Sequence, residues 1–302
     1  MKIGFIGAGK VGTSFGKFLI TKGFNVIGYS SRGSINLEKA IKFTNTKRFN
    51  SKELINKSDL IFITVNDDNI KNVVDDSIKK FSNLKGKTFI HMSGAHSSKL
   101  LINAYELGAK VYSLHPLQSV SNIENAVKDF DDSVFSIETI DDEINESIQE
   151  ILDVLKSYFK IDSDKKAIYH MSACVFSNYL NTLMDFGLEL TSSLGISKEF
   201  AFDAMRPLIN SSLENIRVNG IEKSLTGPLS RGDVNTIKTH LNTYDENNQK
   251  FKNFYEFMGL KTLNYIKKNQ ILDEIKINEL RNTLEGNYEK NNNSKFFKNE
   301  NE

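Results

Sequence analysis

One stretch of the chain carries proton-transferring and hydrogen-bonding side chains at helical spacing. Ala167 to Met184 contains no Asp, Glu, Lys or Arg, although 25% of the chain is charged. At about 100° per residue, His170, Cys174, Ser177, Asn178 and Asn181 fall in one band, and Val175, Phe176, Tyr179, Leu180 and Leu183 fill the remainder. A surface helix in so Lys- and Glu-rich a chain should show charges on its polar side. The pattern therefore predicts a helix buried on most sides, with its polar band facing an enclosed cleft. His170 is then the candidate proton donor, Asn178 orients a substrate oxygen or nitrogen, and Asn181 is a further substrate contact. The competing reading is a set of satisfied core hydrogen bonds, preferred for Cys174 because a lone buried thiol is usually packing.

Three other segments place polar groups directly after apolar runs: Thr64-Val65-Asn66-Asp67-Asp68, His91-Met92-Ser93-Gly94-Ala95 and His115-Pro116-Leu117-Gln118-Ser119. Asp67 and Asp68 read as a turn plus helix cap. His115-Pro116 suits a rigid turn as well as a catalytic role. In a fourth segment, Gly227 to Asp233, the Gly and Pro content predicts a loop and Asp233 a helix N-cap. There Arg231 either clamps a substrate anion or pairs with a structural carboxylate.

Gly7-Ala8-Gly9-Lys10-Val11-Gly12 is a G-x-G-x-x-G directly after an apolar run and at the start of an amphipathic one. That context predicts a dinucleotide site: Gly7 for the tight turn, Gly9 for close approach of backbone to pyrophosphate, Gly12 for helix–strand packing, and free N–H groups at the helix start. At the end of the next strand a carboxylate would favour NAD, and none is present. Ser30-Ser31-Arg32 stands there instead, two hydroxyls and a guanidinium suited to a 2′-phosphate, which favours NADP.

The elements that must position these groups follow from hydrophobic period. Strands are predicted over 2–6, 24–29, 60–65, 88–91, 110–114 and 133–137. The central runs are apolar almost throughout, as in parallel strands covered on both faces. A doubly wound sheet binds ligands beyond the carboxyl ends of its strands, which sets Thr64, Val65, Asn66, Ser93 and Gly94 beside the cofactor and His115 and Gln118 near the reacting end. Past Lys165 strand signals vanish. Helices are predicted over 166–194, from Ser197 to about 217 with a kink or break at Pro207, and over 233–247, 249–268 and 272–284. The fold class is α/β, a doubly wound parallel-sheet Rossmann domain over 1–163 followed by an all-α substrate and dimerisation domain over 164–286. Residues 287–302 are too poor in apolar side chains to order themselves.

With 302 residues, 39% hydrophobic, two domains of ordinary size are expected. The net charge of +1 is spread evenly, which argues against a nucleic-acid partner. A single cysteine, Cys174, excludes an intramolecular disulfide and a cysteine-based metal site. No secretion-signal pattern precedes the first strand, and the uncharged stretch 167–184 carries His, Asn and Ser that lipid would penalise, so a cytoplasmic protein with no membrane partner is expected.

Taken together these segments resemble the Rossmann-like proteins with a C-terminal domain of unknown function, within the 6-phosphogluconate dehydrogenase-like group. The resemblance is carried by Gly7–Gly12, Thr64–Asp68, His91–Ala95, His115–Ser119, the helix around His170 to Asn178, and Gly227–Asp233. It implies an NADP-dependent oxidoreductase with a helical, often dimer-forming substrate domain. Asn66 departs from the family's proline. Hydroxyacid dehydrogenases of the wider group place Lys and Asn one turn apart on the first long helix of the second domain. Here Cys174 precedes Asn178 and Ser177 precedes Asn181, so simple hydroxyacid dehydrogenation is not expected. The leading expectation is hydride transfer between NADPH and a small anionic carbonyl or imine compound; the alternative is a non-catalytic NADP-binding sensor or assembly protein.

Overall fold

The structure, a computed structural model, describes residues 1–243 and 249–291. The chain divides into two compact units, Met1–Asn181 and Thr182–Glu302.

The first unit is built on an eight-stranded sheet in the order β3-β2-β1-β4-β5-β6-β7-β8. The strands are β1 Lys2–Ile6, β2 Asn25–Ser30, β3 Lys47–Arg48, β4 Leu60–Ile63, β5 Thr88–His91, β6 Lys110–Pro116, β7 Val134–Thr139 and β8 Ser157–Lys160. Neighbours run parallel except β6 and β7, which are antiparallel with His115 opposite Ser136. Two strands were not expected from sequence, β3 and β8. Both are short and exposed: β3 is the dipeptide Lys47-Arg48, and β8, Ser157-Tyr158-Phe159-Lys160, holds only two apolar residues, too few for the apolar run of a covered strand.

Helices α1 Lys10–Thr21, α2 Ser34–Thr44, α3 Ser51–Lys57, α4 Ile70–Ile78, α5 Ile102–Glu106, α6 Ile123–Asp129 and α7 Glu146–Leu152 connect the strands. One face of the sheet buries Phe5, Phe15, Phe18, Phe62, Phe130 and Phe135. The other buries Leu54, Ile61, Ile63, Val74, Phe89 and Leu101. Each such side chain contributes about 1.5–3 kcal/mol on leaving water. The strand order reverses at the β1–β4 junction, which opens a crevice at the carboxyl edge.

The first unit ends in α8, Lys166–Cys174, which passes into a π-helical turn, Val175–Tyr179, before α9, Leu180–Ser192. The expected burial of this helix is not observed. Ile168, Met171, Val175, Phe176 and Tyr179 on its apolar side are all exposed, while His170, Cys174 and Ser177 are half-buried. The polar band itself is interrupted, since Asn178 and Asn181 are exposed. The 100° step holds for an α-helix and fails across a π turn, where hydrogen bonds span i to i+5.

The second unit is helical: α10 Lys198–Ser224, α11 Pro228–Arg231, α12 Val234–Asn242, α13 Gln249–Lys268 and α14 Glu274–Asn291. Ser197 caps α10, its hydroxyl accepting from Phe200 N at 3.3 Å. Backbone angles leave the helical region at Gly220 (φ 76°), not at Pro207. The segment expected to be a loop, Gly227 to Asp233, contains the helical turn α11, with Pro228 in its first position where no N–H is missed. A small core of Ile237, Leu241, Leu263, Ile266, Leu280 and Leu284 joins α12, α13 and α14. Of the segment expected to lack order, 287–291 continue α14, and residues 292–302 lie outside the described residues.

Candidate active site

The glycine motif packs the turn and α1 against the end of β4 too closely for side chains. Gly7 has φ 115°, and a Cβ on it would lie 2.5 Å from the Thr64 carbonyl carbon. A Cβ on Gly12 would lie 2.1 Å from Thr64 Oγ1, which donates to the Gly7 carbonyl at 3.1 Å. Gly9 is the N-cap residue of α1, so the first-turn N–H groups open toward the crevice. The crevice is a cleft of about 880 Å³ whose walls include Gly7, Ala8, Gly9, Thr64, Val65 and Asn66. Ser30, Ser31 and Arg32 line the same cleft. Ser30 Oγ is within 2.9 Å of Ser51 Oγ, and Arg48 is engaged by Glu38. Arg32 is exposed and makes no hydrogen bond or ion pair among the described residues. Of the motif's other members, Lys10 Nζ donates to the Ser121 carbonyl at 2.8 Å and Val11 packs on the core.

A second group forms where β5 and β6 end. Ser93 Oγ donates to Asp67 Oδ2 at 2.7 Å, tying the end of β5 to the segment after β4 that walls the cleft. His91 is fully buried; its Nδ1 accepts from Ser93 N at 3.2 Å and its Nε2 donates to the Ser97 carbonyl at 3.0 Å. Burial pushes its pKa down to about 3, so the ring stays neutral and serves to shape the loop. Beyond Ser93, Gly94 sits between two imidazoles. A Cβ built there would lie 2.5 Å from His170 Cδ2 and 2.8 Å from His115 Nε2. The His115 and His170 rings stand 6.0 Å apart, at 75°. His115 is also pushed down to about 3, by burial first and then by the charges of Lys166 and His170.

Beneath this group lies a residue that sequence reasoning missed. Lys166, 1% exposed, donates to Ser113 Oγ at 2.6 Å and to the Ser93 carbonyl at 3.1 Å. Burial lowers its pKa from 10.5 to about 8, with the carboxylates of Glu138 and Asp67 opposing the shift. Glu138 is itself held by Ser98 N, Ser98 Oγ and Ser163 Oγ at 2.6–2.9 Å. Lys166 stands one turn before His170, whereas a lysine had been sought one turn before Asn178 and Asn181. A signal was present: a lysine in the first turn of a helix opposes the helix dipole, which calls for another reason to be there.

The structure thus brings together Ser93, Gly94, His115 and His170. It places other candidates elsewhere. Gln118 Nε2 donates to Asp129 at 3.2 Å, away from the imidazoles. Asn178 lies on the exposed π turn and Asn181 at the exposed start of α9. Arg231 directs Nε and Nη2 to Asp233 at 2.9 and 2.8 Å, the structural pairing weighed as its alternative. Among the described residues no group of His, Cys, Asp and Glu is arranged to hold a metal ion. None of the described helices is long and apolar enough to cross a membrane.

Residues 1–116 match the model of a Rossmann-like domain, and residues 133–262 match DUF2520, a domain of unknown function. A comparison with curated proteins found no significant match. Among solved structures, a Bacteroides fragilis protein proposed to be an NADP oxidoreductase is 21% identical at TM-score 0.68, over 86% of this chain and 96% of that one. A reductive aminase from Aspergillus terreus, in complex with NADPH and ethyl-5-oxohexanoate, is 14% identical at TM-score 0.60, over 96% and 94%. The pyrroline carboxylate reductase of Plasmodium falciparum with NADP bound is 14% identical at TM-score 0.57, over 95% and 96%. At such identities the likeness speaks for the fold. The chain is a Rossmann-like domain joined to a DUF2520 domain.

Proposed function

We propose that the protein is an NADP-dependent oxidoreductase that reduces a small anionic carbonyl or imine compound. The observation that carries this reading is the meeting of two imidazoles at Gly94, on a loop tied through Ser93 and Asp67 to the wall of a glycine-cradled cleft. The cleft fits a dinucleotide pyrophosphate, since Gly7 and Gly12 let the turn and α1 pack directly on Thr64, and Gly9, with only the Thr64 carbonyl at 3.7 Å from its Cβ position, leaves room for a phosphate at the start of α1. A reduced nicotinamide bound there supplies hydride to the substrate carbon. His170 delivers the proton to the oxygen or nitrogen that gains electron density, and is recharged from solvent. His115 faces the same point. The buried ammonium of Lys166 has no carboxylate hydrogen-bonded to it among the described residues, which favours a substrate bearing negative charge. The reductive aminase neighbour is complexed with NADPH and an oxo compound, ethyl-5-oxohexanoate, and the pyrroline carboxylate reductase neighbour with NADP, in keeping with this reading. Consumption of NADPH across a panel of oxo-acids and cyclic imines tests the reading; tight NADPH binding with no turnover on any of them would favour a sensor instead.

Selection of NADP rests on Ser30, Ser31 and the unpaired Arg32. A charge-assisted hydrogen bond contributes about 1.5–3 kcal/mol. Arg32→Ala should therefore weaken NADPH about ten- to a hundredfold and leave NADH nearly unchanged by fluorescence titration. Equal weakening of both would remove Arg32 from the phosphate site.

The same reading includes a homodimer formed through the helical domain. Of the 27 residues of α10 only Ala201 is buried, while Phe200, Leu208, Leu213, Val218 and Ile221 are more than half exposed. A helix draws most of its stability from packing an apolar face, so this one needs cover, and a second copy supplies a matching surface by symmetry. Sedimentation should give the mass of two 34.2 kDa chains, and Leu208→Glu with Leu213→Glu should shift it to one. A native monomer at micromolar concentration would exclude this arrangement.

A further inference from the structure

The phenol of Tyr169 lies one residue before His170 and has no part in the chemistry above. Its ring is fixed on three sides: edge-on to His115 at 5.6 Å, edge-on to Phe159 of β8 at 5.8 Å, and under Lys166 Nζ at 6.0 Å. Its hydroxyl is 2.8 Å from His115 Nδ1. Two arrangements of hydrogens are compatible with that distance. In one the phenol donates to Nδ1, and the imidazole proton sits on Nε2. In the other Nδ1 carries the proton and donates to the phenol oxygen.

Ser136 separates the two. It stands opposite His115 across β6 and β7, its fully buried hydroxyl lies near the Tyr169 phenol, and that hydroxyl makes no hydrogen bond of ordinary geometry among the described residues, so its proton still needs an acceptor. If Ser136 donates to the phenol oxygen and the phenol donates to Nδ1, every buried hydroxyl proton has an acceptor. The reverse order strands the Ser136 proton in the interior, at a cost of about 1–3 kcal/mol. His115 Nε2 has no protein partner among the described residues and lies on the side of Gly94 and His170, where the reacting atom is placed.

We infer that the Ser136–Tyr169 pair fixes His115 as the tautomer protonated on Nε2, which makes its ring a preset neutral hydrogen-bond donor to the carbonyl oxygen or imine nitrogen of the substrate. Tyr169 is a positioning residue in this arrangement, acting only through His115. The donor polarises the substrate as hydride arrives, and the proton itself comes from His170, so His115 stays neutral and keeps its hydrogen throughout. Burial and the neighbouring cations, which hold the His115 pKa far below neutrality, keep the donor in one state over the working range. The inference rests on the reductase reading for the identity of the acceptor, and its test does not.

Long-range proton–nitrogen correlation spectra of the full chain labelled with ring-¹⁵N histidine report the tautomer of each of its five histidines, with His115 assigned from the signal missing in His115→Gln. At pH 7.5, on the order of one unit above an ordinary imidazole pKa, the native protein should show His115 with Nε2 protonated and Nδ1 bare. Tyr169→Phe should give mixed tautomers at His115 and an unchanged His91. The loss of one oriented donor should lower kcat about tenfold with NADPH affinity unchanged, and Ser136→Ala should move the same signals less. A native spectrum with Nδ1 protonated, or a Tyr169→Phe spectrum identical to the native one, overturns the inference. Absence of turnover with every carbonyl and imine offered would count against the reductase reading and leave the tautomer to be judged on the spectra.

Discussion

Lys166→Met should give a protein that resists denaturant better than the native chain at pH 7 and turns over about a hundredfold more slowly. The two effects have one cause. Lys166 is 1% exposed and its ammonium is satisfied by a carbonyl and a hydroxyl, with no carboxylate bonded to it. Burying a cation in this way is unfavourable, and an isosteric apolar side chain removes the cost. The sign with pH follows from the direction of the shift. The folded-state pKa, about 8, lies below the 10.5 of the free side chain, so the cost is absent above 10.5 and grows as pH falls. It is complete below the folded value, where it reaches about 3 kcal/mol at about 1.4 kcal/mol per pH unit. The difference in unfolding free energy between variant and native chain should therefore widen by that amount from pH 10.5 to 8 and stay constant down to pH 6. Urea midpoints across this range measure it; a gap independent of pH would mean that burial leaves the Lys166 pKa at its free value, and a gap still widening below pH 8 would mean that Lys166 is neutral in the folded interior. The loss of turnover arises because the ammonium holds the Ser93 carbonyl under Gly94 and supplies the positive potential that a developing alkoxide or amide anion meets; removing one such preorganised group typically costs about a hundredfold or more. Unchanged NADPH affinity distinguishes this from collapse of the cleft.

His170→Gln should lower kcat by about a hundredfold or more while NADPH binds as before. Glutamine keeps the reach and a hydrogen-bonding head but cannot release a proton at neutral pH, so the substitution removes the acid and retains much of the shape. The ring lies against Gly94 and 6.0 Å from His115, and its Nδ1 is 3.8 Å from Cys174 Sγ, so one edge is held while the other faces the point where substrate is placed. The cofactor cleft is walled by other residues, which is why binding and turnover should separate. The limb of the kcat profile that reports the acid should vanish in the variant. Full turnover at every pH would show that His170 only packs.

Much of the first unit was legible because its physics is local and repetitive. A G-x-G-x-x-G between an apolar strand and an amphipathic helix has few uses, and the strand ends named from the apolar runs are the ones that now carry Thr64, Ser93 and His115. At the start of α3 Asn50 and Ser51 are equally good caps by type, and the chain path makes Asn50 the one that accepts from Glu53 N. What could not be read was the depth of Lys166. Its neighbour Lys165 has the same side chain and is exposed, and the difference lies in which of the two projects onto the sheet over Ser113, a contact 53 residues away in sequence. The π turn was likewise invisible, since the residues Val175 to Tyr179 carry no glycine or proline to mark a change of helical pitch.

That turn has a consequence for how relatives of this chain should be aligned. A π-type turn is what remains when one residue is inserted into an α-helix without breaking it, the surplus being absorbed as a local bulge. Deleting a single residue between Val175 and Tyr179 would restore a plain helix and rotate everything after it by about 100° relative to His170 and Lys166. Homologous chains with and without the bulge should thus differ by a one-residue gap at this place, and aligning them without the gap would pair Asn178 with the wrong neighbour. Phase along the helix here hangs on one residue of length, and it decides which side chains directly after residue 179 share a face with the imidazole.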